Sequence, residues 1–379
     1  MIHCLPRAAS PRPLTVAFAL ISYRHDEPAG MERSVAGLAA GLRRLGHRAV
    51  VLTAAAQDHP TPDIIELRAL PVRLPCDDVT LRAIIAANRA ALTLELNGVL
   101  EDCRADAVVY VDALWGLGSV SAGISHPARR VLAAHVLGHH TDLAPALRAA
   151  HRVIAPSQVV LAQARTRGYD TAGWRIVPNP LLIDPAEVER PDPQEREQLR
   201  RDGPVRIVAR LGPEKGVASL LRAATPGARP VQVVLASAGF EAGAGSQQTL
   251  LAECRVLAEI AGAVLYPPLA WRDVPAFLAG AAVTVIPSAA ETFGNLALES
   301  LSAGTPVVAL AVGNLPALIG APGAGVIVPA AMGTRGLWQA TQDLLADPVR
   351  YRQACGAAYC RSRNYRSTTV AEAFLKAVW

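Results

Sequence analysis

Residues 283–304 read VTVIPSAAETFGNLALESLSAG. The run Val283 to Pro287 is rich in β-branched residues and reads as a buried strand, and a helical pattern begins near Asn295 and stops at Gly304. The chemistry is expected in the turn between them. In an open parallel sheet, ligands bind beyond the carboxyl ends of the strands, and a helix N-terminus offers unpaired N–H groups to an anion. Gly294 and Asn295 would supply those donors. Glu291 lies before the helix and Glu299 inside it. Eight residues at about 100° each leave the two carboxylates well off one line, so an i,i+4 surface pairing does not account for the spacing. A carboxylate on each side of a phosphate-binding turn suits a ligand with hydroxyls on both sides of a diphosphate, such as a nucleotide sugar. The bland reading is two solvated glutamates, one on a loop and one on a helix.

The surrounding chain of 379 residues is long enough for two domains, each with its own core. With 51% hydrophobic and 18% charged residues it belongs among globular proteins, and it carries no charge block. The formal charge is +5 and aromatics make up 4%, so the basic stripe and stacking platform of a nucleic-acid binder are missing. The basic excess points to anionic small molecules, with acidic membrane lipid the weaker candidate. Leu14 to Ile21, the longest early apolar run, is too short to span a bilayer and has no cleavage site after it. It reads as the first strand. Six cysteines (Cys4, Cys76, Cys103, Cys254, Cys355, Cys360) form no C-x-x-C pair, which fits a reducing cytoplasm.

After a Pro-rich leader, the pattern predicts a strand over Leu14–Ser22, a helix from about Met31 to Leu45 ended by Gly46, and a parallel strand over Ala49–Thr53. A long helix is expected within 80–102, and strands at Ala107–Val111, Arg130–His135 and Arg152–Pro156. Residues 184–204 are polar and Pro-punctuated and read as the connection between domains. The second half repeats the alternation. Strands are expected at Val205–Leu211, Val231–Ala236, Ala263–Tyr266, Val307–Leu310 and Val326–Val328, with helices near Val217–Ala224, Ser246–Ala261, Asp273–Leu278 and from Leu337 onward.

The segment around Glu291 resembles the donor-site signature of the retaining glycosyltransferases of family four, which have the GT-B fold. Glu291, Thr292, Phe293, Gly294, Glu299 and Ala303-Gly304-Thr305-Pro306-Val307-Val308 carry the likeness. Arg210 and Lys215 match the family's R-x-x-x-x-K phosphate pair: a departing nucleoside diphosphate develops negative charge that cations and a helix dipole can neutralise. PAGMERSVAGLAAGLRRLGH is similar to the family's first loop and helix, with Ala29-Gly30 where a glycine pair is usual, so the close backbone approach rests on Gly30. His135 stands at a strand end where the family has a histidine near the transferred sugar; a lone histidine there is more often structural. His135-x-x-x-His139 could be drawn as two metal ligands on a helix, but no third ligand is in view. In the run Ile176-Val177-Pro178-Asn179-Pro180, Pro180 replaces the family's glycine, fixing φ and removing a donor.

The resemblance implies an α/β, GT-B architecture of two Rossmann-like domains facing each other across a cleft: an acceptor domain over 1–183, a linker over 184–204, a nucleotide-sugar domain over 205–366, and a C-terminal helix over 367–379 crossing back to the first domain. The implied reaction moves a sugar from a nucleotide-diphosphate donor to an acceptor hydroxyl with retention, without metal or other cofactor. His135, Arg210, Lys215 and Glu291 would be catalytic. Donor binding would fall to Gly30, Arg210, Lys215, Glu291, Thr292, Phe293, Gly294, Asn295, Leu296 and Glu299, with Glu291 on the sugar hydroxyls and Glu299 on the ribose. UDP is the default nucleotide, and a small soluble acceptor is favoured over a lipid, in keeping with antibiotic or other secondary metabolism in a high-GC bacterium. No nucleic-acid or membrane partner is expected, and a homodimer is compatible with the sequence. The rivals are a GT-B epimerase or phosphorylase and a non-catalytic sugar-nucleotide-binding subunit.

Overall fold

Runs of β-branched residues form the strands of two parallel sheets in the computed structural model, which describes residues 12–26, 29–57, 61–227, 229–320 and 323–379. Most of the Pro-rich leader, with Cys4, and the Glu27-Pro28 step of the N-terminal loop lie outside the described residues. The first half supplies β1 (Thr15–Ala19), β2 (Arg48–Thr53), β3 (Ile64–Glu66), β4 (Cys76–Asp77), β5 (Ala107–Val111), β6 (Arg129–Ala133), β7 (Arg152–Ala155) and β8 (Arg175–Ile176). All but β4 join a seven-stranded parallel sheet in the order β3-β2-β1-β5-β6-β7-β8. The second half supplies β9 (Val205–Arg210), β10 (Val231–Ala236), β11 (Phe240–Glu241), β12 (Val264–Tyr266), β13 (Val283–Ile286), β14 (Val307–Leu310) and β15 (Gly325–Val328). Six of these form the parallel sheet β12-β10-β9-β13-β14-β15.

Helices cover both faces of each sheet, so the central strands are buried on both sides, and β5, β13 and β14 are buried at every residue. Strand order reverses between β1 and β5 in one sheet and between β9 and β13 in the other. At each reversal the loops leave in opposite directions and open a crevice at the carboxyl ends of the strands.

Three arrangements bring the crevices face to face. First, the helix Ser367–Val378, last in the chain, returns to the first domain. Phe374 is fully buried there, 6.3 Å from the Phe18 ring, and Arg129 donates to the Val378 carbonyl at 2.5 Å. Second, residues 184–204, expected as the connection between the domains, carry a helix, Pro193–Asp202. Its Arg196 is buried and donates to the carbonyls of Ala281 and Ala303 at 2.9 and 3.1 Å, which anchors the connection to the second domain. Third, β4 of the first half pairs with β11 of the second, the Cys76 N–H donating to the Gly239 carbonyl at 3.0 Å. Beside this two-stranded bridge Trp115 and Phe240 stack with centroids 4.2 Å apart. Trp271 of the second domain joins the first domain's core, edge-on to Tyr23, and its backbone N–H donates to Asp26 Oδ1 at 2.8 Å.

Candidate functional site

The two crevices enclose one cavity of ≈ 350 Å³ between the domains. Its second-domain wall is made by the ends of β9 and β13 and by the helix Asn295–Ser302. Glu291 is fixed there from several sides. Its Oε1 accepts from Lys215 Nζ at 2.6 Å and from the Ser288 hydroxyl at 2.9 Å, and its backbone carbonyl accepts from the Asn314 N–H at 3.1 Å. A Cβ at Gly313, whose φ is +51°, would overlap that carbonyl. Arg210 ends β9 and pairs with Glu214 four residues on. Both cations therefore point where an anion would be neutralised, and each already meets a carboxylate.

The first-domain wall is built by the loops after β5 and β6 and by the start of the helix Gly30–Arg44. His135 lines the cavity just beyond β6, its Nδ1 lying 3.2 Å from the Ala133 carbonyl. A carbonyl can only accept, so Nδ1 carries a proton in this contact and Nε2 is the nitrogen left facing away from it. Asp112 sets this loop. Its Oδ1 accepts from the backbone N–H groups of His135 and Val136 at 2.6 and 2.9 Å, while Oδ2 is buried without a partner. Burial pushes the Asp112 carboxyl well above the usual carboxylate range, with His135 and the two N–H groups pulling it partly back.

The helix N-termini from the two domains meet at Gly30 and Asn295. Asn295 Nδ2 donates to the Gly30 carbonyl at 2.7 Å, and its Oδ1 accepts from Asn179 Nδ2 at 2.8 Å. A Cβ at Gly30 would stand 2.8 Å from Asn295 Nδ2, so the close approach this glycine permits is to the other domain's side chain. Pro180 follows Asn179 and packs its own ring against Gly37. One turn into each helix, Arg33 Nε lies 3.1 Å from Glu299 Oε1. Burial raises the Glu299 carboxyl and Arg33 lowers it.

The cavity thus gathers Gly30, His135, Arg210, Lys215, Glu291, Thr292, Phe293, Gly294, Asn295 and Leu296. Three of the expected site residues have other engagements in the structure. Glu299 is not among the lining residues and its Oε1 is engaged by Arg33. Phe293 is 3% exposed and sends its ring into the core against Tyr365, leaving mainly its backbone to the site. Thr292 accepts at its carbonyl from the Ser157 hydroxyl at 2.6 Å, a tie across the domains. His139 precedes a helix that begins at His140 while His135 sits in a loop, so the two do not share a helix face. Among the described residues no group of three or more His, Cys, Asp or Glu side chains is placed to hold a metal. Sequence reasoning missed Asp112, Ser288, Glu214 and Arg33. Only Arg33 carried a usable signal, lying three residues after Gly30 on the same helix face.

A family model described as Glycosyltransferase Family 4 matches residues 28–184, and one described as Glycosyl transferases group 1 matches residues 205–347. The D-inositol 3-phosphate glycosyltransferase of Acidothermus cellulolyticus is 32% identical over 231 residues, which take in 54% of this chain and 48% of that protein. The enzyme of the same name from Mycobacteroides abscessus is 37% identical over 129 residues, 33% of this chain and 28% of that protein. The chain therefore spans about half the length, or less, of these curated relatives. Among solved structures, sucrose-phosphate synthase from Thermosynechococcus elongatus superposes with a TM-score of 0.78 at 20% identity, over 96% of this chain and 98% of that one. Anabaena HepE, solved with UDP and glucose, gives 0.71 at 17% identity over 96% and 98%. Both are likenesses of fold. No helix among the described residues is long and apolar enough to cross a membrane.

Proposed function

The chain belongs to the family-4 type of glycosyltransferases with the GT-B fold, and from this premise we propose that it moves a glycosyl group from a nucleotide-diphosphate donor to a hydroxyl of a small acceptor. One observation carries the reading. Arg210, Lys215, Glu291 and a helix N-terminus converge on one wall of a cavity whose opposite wall presents His135. Arg210 and Lys215 would take the diphosphate, and the N–H groups at Gly294 and Asn295 would add the helix dipole. These charges suit a departure that needs no metal ion. Glu291, held by Lys215 and Ser288, would accept hydrogen bonds from the sugar hydroxyls. His135 Nε2 would accept another from the opposite side, and Glu299 is assigned to the ribose.

Retention follows in our reading from attack on the face that the diphosphate leaves. The C1–O bond to phosphate breaks, the C1–O bond to the acceptor forms on the same side, and the acceptor's proton passes to the departing phosphate oxygen. No covalent intermediate is assigned in this scheme, in which Glu291 serves the sugar hydroxyls. UDP is the proposed base carrier, since the solved neighbour HepE was crystallised with UDP. A small polyol is the proposed acceptor, in line with relatives named for D-inositol 3-phosphate; a role in secondary metabolism is carried over from composition alone. The free cysteines among the described residues suit a cytoplasmic setting.

The test is calorimetric titration with UDP, GDP, ADP and TDP, repeated on Lys215→Ala and Arg210→Ala, followed by nucleotide release from the matching sugar donors. One nucleotide is expected to bind, and each substitution to weaken it by about 1.5–3 kcal/mol, the net worth of a charged hydrogen bond. Absence of binding by all four overturns the reading. Binding with no donor turnover, with or without a polyol, would favour a non-catalytic subunit. Turnover to an epimerised sugar or a sugar phosphate would favour an epimerase or phosphorylase.

A further inference from the structure

The two walls of the cavity differ in charge. The second-domain wall carries Arg210 and Lys215, which the donor's diphosphate would occupy. An acceptor then reaches the reacting carbon along the first-domain wall. The described residues of that wall offer one cation, Arg33, and its charge is met by Glu299, with Nε 3.1 Å from Oε1. Glu32, beside it on the same helix, brings a carboxylate to the wall and accepts from the Ser22 hydroxyl. Apart from His135 and Asn179, the remaining lining residues of this wall are apolar or aromatic. Val136, directly after His135, is a large apolar side chain left 44% exposed at the cavity, and its N–H donates to Asp112 at 2.9 Å. A phosphate drawn in here would lose water, find no uncommitted cation and meet the Glu32 carboxylate, and such unpaired or like-charge contacts are how a site rejects a ligand. A ring with hydroxyls at its edge and C–H groups on its faces fits the same wall, faces against the apolar side chains and hydroxyls toward His135 and Glu32.

We propose that the acceptor is an uncharged cyclic polyol without a phosphate group, and that Val136 and Glu32 set this preference by denying a phosphate its counter-charge. This rests on the donor-site reading above and deepens it at the acceptor end. It also sets the chain apart from the phosphate-bearing polyol for which its relatives are named. Val136 is then a specificity-determining residue, and a cation in its place supplies what a phosphorylated acceptor lacks.

The experiment uses the full chain with the sugar donors of whichever nucleotide binds, and measures transfer to acceptors offered in pairs: myo-inositol and D-inositol 3-phosphate, glucose and glucose 6-phosphate, fructose and fructose 6-phosphate. Wild-type protein, Val136→Lys, Val136→Gln and Glu32→Gln are compared, with Val136→Gln the neutral control for the longer side chain. In wild-type protein the unphosphorylated member of a pair is expected to show a kcat/KM about tenfold or more above its phosphate ester. Val136→Lys should shrink that ratio about tenfold relative to Val136→Gln, chiefly through a lower KM for the ester, and Glu32→Gln should move it in the same direction. A wild-type protein that uses a phosphate ester as well as or better than the free polyol overturns the proposal. So does a ratio that is the same in Val136→Lys and Val136→Gln, which is what a wall remote from the acceptor predicts. Nucleotide binding with no transfer to any neutral polyol overturns the acceptor class while leaving the donor site standing. If no nucleotide binds the wild-type protein, the donor-site reading itself fails and the acceptor class with it.

Discussion

Replacing Glu291 by Gln keeps the shape of the side chain and removes its charge, and the consequence should depend on whether the ligand carries a sugar. Lys215 Nζ and Glu291 Oε1 are 2.6 Å apart, with side chains 18% and 16% exposed. Two unit charges at that separation attract by about 6 kcal/mol at an effective dielectric constant of about 20. Desolvation offsets most of this, leaving about 1.5–3 kcal/mol for a charged hydrogen bond. A diphosphate that draws on Lys215 must share the ammonium with Glu291. In Glu291→Gln this competition is gone, so UDP should bind as well as to the wild-type protein or up to about tenfold tighter, a gain of about 1.4 kcal/mol. A sugar donor instead loses its charged acceptor. One such bond at about 1.5–3 kcal/mol predicts a fall of roughly 10- to 150-fold in kcat/KM.

Calorimetry with UDP and a nucleotide-release assay with the sugar donor read the two effects separately. Thermal melts add a third reading. Lys215 loses its counter-ion in the variant, so the protein alone should melt lower, and UDP should raise its Tm by more than it raises the wild-type value. The reasoning is refuted if Glu291→Gln weakens UDP and the sugar donor by the same factor, because Glu291 would then be organising the diphosphate site and not binding the sugar.

Gly313→Ala places a Cβ at φ +51° against the Glu291 carbonyl, so about 1–2 kcal/mol of backbone strain and a displaced Glu291 turn should abolish nucleotide release while circular dichroism still reports a folded protein. Asp112 has a folded pKa raised by burial, so the folded state holds its proton longer than the unfolded chain and the residue's contribution to stability falls as pH rises above about 4. The Tm of Asp112→Asn relative to wild type should therefore climb from pH 4 upward until the folded pKa is passed; a difference independent of pH would contradict this. Phe240→Ala removes the ring stacked on Trp115 across the domains, a contact worth about 0.5–1.5 kcal/mol, and should enlarge the radius of gyration in small-angle scattering and raise KM more than it lowers kcat.

Much of the fold was legible because buried parallel strands need unbroken apolar runs. Val231–Ala236 and Val307–Leu310 stand in the structure with the bounds that their β-branched residues imply. The helix Ser246–Ala261 likewise follows its apolar period. What escaped has little period to read. β4 and β11 have two residues each, and they pair only because the two halves of the chain approach there. The helix Pro193–Asp202 looked like a polar connection because its buried face is carried by Arg196, whose charge hides the burial in any hydrophobic pattern. Its start was nevertheless written in Asp192 and Glu195, which form a capping box with Asp192 Oδ1 accepting from the Glu195 N–H at 2.8 Å.

The site divides along the same line. Arg210, Lys215, Glu291 and the turn after β13 come from one sheet, so spacing along the sequence was enough to bring them together. Asp112, Arg33 and the engagement of Glu299 are different, because each depends on elements whose meeting no local pattern records. Helical periodicity still connects them once a single contact is known. Gly30 and Asn295 touch at the heads of two helices, and Arg33 and Glu299 lie three and four residues further along, on the same faces. A contact at the first pair therefore brings the second pair together, provided the helices run alongside each other for one turn. The side chain of Asn295 sets how closely the domains approach, and that approach sets whether Arg33 reaches Glu299. Asn295→Ala should accordingly lower the Tm through a loosened Arg33–Glu299 contact as well as through its own lost contacts. Combining it with Arg33→Ala should then cost less than the two single changes added together.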